Sequence, residues 1–171
     1  MKDSSKLKTA KLGKAGKSAA AELLVPFRVK SILVPLDFSP PSKKALDYAV
    51  SVARQFKAKL TLLHVVEPVA TPDFAATFPL VMEDDRLMAL AKKDLEGVMK
   101  SARIPRGIVE KVLVRFGRSF HEITEAARTR KADLIIISTH GYTGLKHVLL
   151  GSTTERVVRH APCPVLVVRQ R

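Results

Sequence analysis

The sequence is poor in the residues that mark several protein classes. It holds a single cysteine, Cys163, so no disulfide can close within the chain and no zinc ribbon can form. Tryptophan is absent and aromatics make up 5% of the residues, which leaves the core to aliphatic side chains. No run approaches the roughly 18 apolar residues of a membrane span, and no sustained apolar stretch follows the basic N-terminus, as a secretory signal would require. The histidines, His64, His121, His140, His147 and His160, fall in no His-Glu-x-x-His pattern. The S-G-G-x-D-S loop of pyrophosphate-releasing adenylating enzymes is missing, as are paired RNP-type aromatics and a helix-turn-helix signature. A soluble, cytoplasmic protein is expected.

Acidic residues are also in deficit, 16 against 30 Lys and Arg, for a net charge of +14. Such an excess raises nucleic acid or an anionic surface as partners. The charge is uneven: residues 1–30 hold seven Lys and one Arg against Asp3 and Glu22. A basic, mostly disordered tail over 1–27 ahead of a domain over 28–171 is the expected organisation. The tail is either a tether to nucleic acid or, the simpler reading, a solvated segment. It contains "GKAGKS", but a phosphate-binding P-loop needs a glycine where Lys11 stands and a strand before it.

At 171 residues with 46% hydrophobic content, the remainder suits one domain with a substantial core. "SILVPLD" (31–37), "KLTLLHVVE" (59–67), "VEKVLVRFG" (109–117), "DLIIIST" (133–139) and "PVLVVR" (164–169) are apolar runs of strand length. Helical periodicity lies between them, over 39–58, 83–103, 119–132 and 153–161. Ser39 suits an N-cap, with Pro40 and Pro41 in the first turn. Residues 67–82, with three prolines, read as a long loop. Cys163, between Pro162 and Pro164, is expected to pack into the core. The alternation predicts an α/β fold: a single doubly wound, Rossmann-like domain with a five-stranded parallel sheet of order 3-2-1-4-5 and helices on both faces. Strands one and four then meet at the topological switch point, where such sheets bind ligands.

Two segments converge there. Asp37 ends the first strand, where its carboxylate can accept from a ribose hydroxyl or order the start of the following helix; both readings stand. The fourth strand runs into "STHGYTGLKHVLLGST" (138–153). Gly141 and Gly151 allow close approach of backbone to an anion, and a helix N-terminus after Gly151 would favour one. Ser152-Thr153-Thr154-Glu155 also reads as a capping box, S-x-x-E, which needs no ligand. Lys146 and His147 suit a solvated face.

The segments "ILVPLDFSPPSKKALDYAVSVA", "LTLLHVVEP" and "ADLIIISTHGYTGLKHVLLGSTTERVVRHAPCPVLVV" closely resemble the universal stress protein family, over residues 30–169. The ATP-binding branch of that family carries G-x2-G-x9-G-[ST]. Here Gly141, nine residues, then Gly151-Ser152 keep the spacing, and Ser138 stands at the first glycine. The resemblance implies ATP, with or without Mg2+, as ligand. It places Pro35, Leu36 and Asp37 at the nucleoside end, the Val65 backbone at the adenine edge and Ile137 and Ser138 on the floor. It gives Gly141, Gly151, Ser152, Thr153 and Thr154 to the phosphates, with His140 near them. It further implies a homodimer through the C-terminal strand (165–169), protein partners, and at most slow ATP hydrolysis with no assigned catalytic residue. A non-nucleotide interaction module of the same fold is the alternative.

Overall fold

The computed structural model describes residues 28–68, 81–102, 104–105, 107–141 and 150–169, with backbone alone for 81–85. The basic tail (1–27) and the middle of the long glycine-containing loop (142–149) lie outside the described residues. Five strands, β1 (Ser31–Pro35), β2 (Lys59–Val66), β3 (Val109–Phe116), β4 (Leu134–Ser138) and β5 (Val165–Val168), alternate with four helices, α1 (Pro40–Phe56), α2 (Val81–Ser101), α3 (Ser119–Thr129) and α4 (Ser152–His160). Every strand pair is parallel, in the order β3-β2-β1-β4-β5. This is the expected order, with β1 beside β4.

Each apolar run serves two faces, because successive side chains of a strand point opposite ways. Ile32, Val34, Leu60, Leu62, Leu134 and Ile136 pack against Ala45, Leu46 and Ala49 of α1 and Leu95 of α2. Leu33, Leu63, Ile135 and Ile137 pack against Ile123, Ala126 and Ala127 of α3 and Val157 of α4. The core is therefore aliphatic, as the lack of tryptophan required. Cys163 packs half-buried on the second of these faces, where burial and Asp133 push its thiol pKa up, away from the range of a reactive thiolate.

The helix ends show where local sequence was silent. Ser39 is the N-cap of α1, its hydroxyl accepting from Ser42 N–H at 3.3 Å. The prediction carried this helix to 58 and the third to 132, but they stop at Phe56 and Thr129. Each is closed by a lysine in the left-handed region, Lys57 (φ 55°) and Lys131 (φ 49°). Beyond these lysines, Ala58 N–H returns to Ala53 O and Ala132 N–H to Ala127 O, both at 2.9 Å. That is the Schellman pattern, usually announced by glycine, so neither stop was visible as a glycine. Helix α2 takes in Val81 and Met82, assigned to the loop from sequence, and so begins two residues ahead of the acidic run Glu83-Asp84-Asp85. At the strand N-termini, Asp133 Oδ2 accepts from Lys30 N–H (2.8 Å) and Ser31 N–H (2.9 Å), tying β1 to β4 at the end away from the switch point. Among the described residues, no helix is long and apolar enough to cross a membrane.

Candidate functional site

At the C-terminal end of β1 the chain turns sharply. Leu36 N–H still donates to Leu63 O (2.8 Å), and the backbone then passes through Phe38 at φ 67°, a conformation costly for a bulky residue. Two contacts hold it. The Phe38 ring stacks on His64, centroids 4.4 Å apart, while His64 Nδ1–H donates to Leu36 O (2.7 Å). The turn lets Asp37 Oδ1 accept from Ser39 N–H (3.0 Å) and Ser39 Oγ–H (2.5 Å). The helix-ordering reading of Asp37 is thus realised. Its second oxygen lies against β4's exit, so close that a Cβ on Gly141 would fall 2.5 Å from Oδ2. A side chain at 141 would have to displace this carboxylate, so glycine suits the position before any ligand is considered.

Beyond β4, the chain is stapled to the start of α4. Gly151 N–H donates to Thr139 O (2.8 Å), and buried Thr154 donates its Oγ1–H to Ser138 O (2.8 Å). A Cβ on Gly151 would lie 3.1 Å from Thr139 O, so glycine belongs to the staple too. Ser138 turns its own hydroxyl to His140 O (2.9 Å) and is not among the left-handed residues. Its strand conformation suits any residue, so serine carries no backbone strain where the motif has glycine.

The expected capping box does not form. Gly151, pinned by Thr139, is the N-cap of α4 and has no side chain to offer. Ser152 is already inside the helix, and Glu155 turns away to Arg159, accepting from Nε (3.0 Å) and an Nη (2.9 Å). The first turn, from Ser152 to Thr154, is left without a side-chain cap and lines the cleft, the arrangement of an anion site. Replacing Thr154 with valine keeps shape but removes the staple to Ser138. The expected cost is about 1 kcal/mol, read by urea denaturation, and an unchanged midpoint would show that the hydroxyl contributes nothing.

All twelve residues expected at the site, Pro35, Leu36, Asp37, Val65, Ile137, Ser138, His140, Gly141, Gly151, Ser152, Thr153 and Thr154, line one cleft of about 270 Å3. Leu36, Leu63, Val65, Ile123 and Ile137 supply apolar walls. Asp37 stands at one side and the α4 N-terminus at the other. Sequence reasoning missed Ser42, Leu63, Glu67, Ser119 and Ile123, which also line it. Glu67 carried a usable signal: it lies two positions past Val65, just beyond the end of β2. Among the described residues no cluster of three or more His, Cys, Asp or Glu could hold a metal ion.

Glu67 caps α3 from a distance in sequence. Arg118, the N-cap residue, supplies no side-chain cap; Glu67 Oε1 instead accepts from Ser119 N–H (2.8 Å). Hydrogen bonding by the Ser119 side chain, then by its backbone, holds the Glu67 pKa below its usual 4.5, against a smaller upward push from burial. A depressed carboxylate stabilises the fold above its unfolded pKa and loses that contribution as pH falls through the folded value. Glu67→Gln should therefore narrow the difference in Tm between pH 6 and pH 3, measured by circular dichroism; an identical pH profile in the variant would remove Glu67 from acid stability.

Comparison with known proteins agrees with this architecture. The model of the universal stress protein family matches residues 28–169. The chain is 35% identical over 141 residues to universal stress protein MJ0531 of Methanocaldococcus jannaschii, covering 82% of each. It is similar to the solved structure of universal stress protein UspA from Lactobacillus plantarum, with TM-score 0.70 and 32% identity over 83% of this chain and 99% of that one. It shares its fold with a universal stress protein solved in complex with cAMP, at TM-score 0.59 and 22% identity over 83% of this chain and 98% of that one.

Proposed function

The chain belongs to the universal stress protein family, and from that membership we propose that it is an ATP-binding stress-response regulator whose switch-point cleft holds the nucleotide. The observation that carries this reading is the α4 N-terminus, left without a side-chain cap by Gly151 and opening on the cleft that Asp37 lines. A triphosphate fits backbone N–H groups and a helix dipole at that end. A nucleoside fits apolar walls with one carboxylate able to accept from ribose hydroxyls. A cAMP complex of the same fold supports an adenine nucleotide as the ligand class.

In this reading Pro35, Leu36 and Asp37 hold the ribose side, and the Val65 backbone meets the base. Ile137 and Ser138 form the floor, and Gly141, Gly151, Ser152, Thr153 and Thr154 surround the phosphates, with His140 beside them. ATP, with Mg2+ where the cation accompanies it, would supply a polyanion whose charge the α4 N-terminus stabilises. Asp37 is held in the turn by Ser39 and belongs to the ribose side, which is not where a general base for water attack must stand. The reading is therefore a ligand-dependent switch with at most slow hydrolysis, acting in the cytoplasm through protein partners.

Dimerisation is part of the proposal. β5 is an edge strand, with Leu166 40% exposed, and such apolar edges are usually paired or covered. A second copy across a two-fold axis is the simplest cover, and light scattering at micromolar concentration should return a dimer mass; a monomer there removes this part.

The deciding experiment is to denature freshly purified protein and identify any released nucleotide by chromatography, beside calorimetric titration with Mg-ATP. Adenine nucleotide near one per chain, or saturable binding, supports the reading. Neither, up to millimolar ATP, overturns it in favour of a non-nucleotide interaction module.

A further inference from the structure

A second hollow, of about 340 Å3, opens off the cleft. It shares Glu67, Ser119, Ser152 and Thr153 with the first, so the two are branches of one forked space. What the second branch adds is Arg118, Phe120 and Arg156. Arg118 precedes α3; Arg156 lies one turn into α4, its guanidinium 4.9 Å from the centroid of the Phe120 ring. That cation–π contact steadies a long side chain.

The charges in this branch are unbalanced. Among the described residues neither Arg118 nor Arg156 makes an ion pair. The nearby carboxylates have other partners: Glu155 holds Arg159, Glu122 holds Arg115 and His121, and Glu67 accepts from Ser119 N–H. Two guanidinium groups thus face a space also reached by the first turn of α4. Their donors outnumber the two oxygens of a carboxylate and suit the three oxygens of a phosphoryl group.

We propose that the Arg118–Arg156 branch binds a second phosphoryl group carried by the nucleotide in the main cleft, which makes the preferred ligand a nucleotide phosphorylated at two places or a dinucleoside polyphosphate. The proposal rests on the nucleotide reading of the main cleft. It gives a role to two arginines that the sequence motif does not include.

Calorimetry on the full chain tests it with two ligand pairs, adenosine 3′,5′-bisphosphate against AMP and diadenosine tetraphosphate against ATP, with pyrophosphate alone as a third arm. At least one of adenosine 3′,5′-bisphosphate and diadenosine tetraphosphate should bind tenfold or more tightly than its partner. In the Arg118→Gln/Arg156→Gln variant that advantage should fall to twofold or less, with AMP and ATP affinities within twofold of the wild type. Arg118→Gln alone, at an exposed position, provides the same comparison if the double variant does not fold. No advantage for either ligand, or an advantage that survives both variants, overturns the proposal. If no nucleotide binds, pyrophosphate separates the two ideas. Amide shifts at Ser119 and Thr153 that vanish in the variant would keep the branch as a free-phosphate site and discard the nucleotide. No response to pyrophosphate would discard both.

Discussion

Truncation of Ile135 to alanine should lower the stability of the protein by about 2–5 kcal/mol, the range for emptying a fully buried aliphatic site. Ile135 is 0% exposed and sits in β4, opposite Leu33 of β1 and Val165 of β5. It points to the face covered by α3 and α4, so few neighbours can collapse into the gap without moving a helix. The loss should appear in urea denaturation as a lower midpoint with an unchanged slope. A cost under about 1 kcal/mol would mean that this face is loosely packed. The consequence reaches the cleft, because β4 is the stem on which Ser138 to Gly141 are carried.

Asp37 carries the second large effect, and two substitutions divide its roles. Asp37→Ala removes the acceptor for Ser39 N–H and Ser39 Oγ–H and should cost about 1 kcal/mol of stability through the start of α1. Asp37→Asn keeps an oxygen for Ser39 but removes the charge and replaces the second oxygen with an NH2 that donates instead of accepting. On the nucleotide reading both should weaken ATP binding about tenfold to a hundredfold, the value of a hydrogen bond to a charged group. Calorimetry beside a thermal melt gives both quantities. Affinity within twofold of the wild type in the asparagine variant would take the carboxylate out of ligand contact and leave it the helix-ordering role alone.

Why some features were legible and others not follows from the range of the forces involved. The buried runs at 31–37 and 133–139 could be read because a strand covered on both faces needs apolar residues throughout, a demand written in consecutive positions. Ser39 could be read because an N-cap and its amide partner are three residues apart. The ends of α1 and α3 could not: Lys57 and Lys131 adopt a backbone that lysine does not advertise, held by the return of Ala58 and Ala132. The capping box failed for a related reason. Its spacing was right, but Thr139, twelve residues upstream of Gly151, took the Gly151 amide and set the helix start one residue earlier than the motif requires.

By itself the sequence determined the alternation of strands and helices, the aliphatic character of the core and the segments that meet at the switch point. Each of these is recorded in local periodicity and spacing, and the same local record carried the resemblance to the family that the comparisons show. Only the tertiary structure decided what those segments do to one another. It set Asp37 against Gly141, 104 residues apart by numbering, and turned Glu67 into the cap of α3, 52 residues away. It also placed Arg118 and Arg156 around one hollow. Hydrogen bonds and charge pairs between distant segments depend on where the assembled sheet delivers its loops, and no window of residues holds that information.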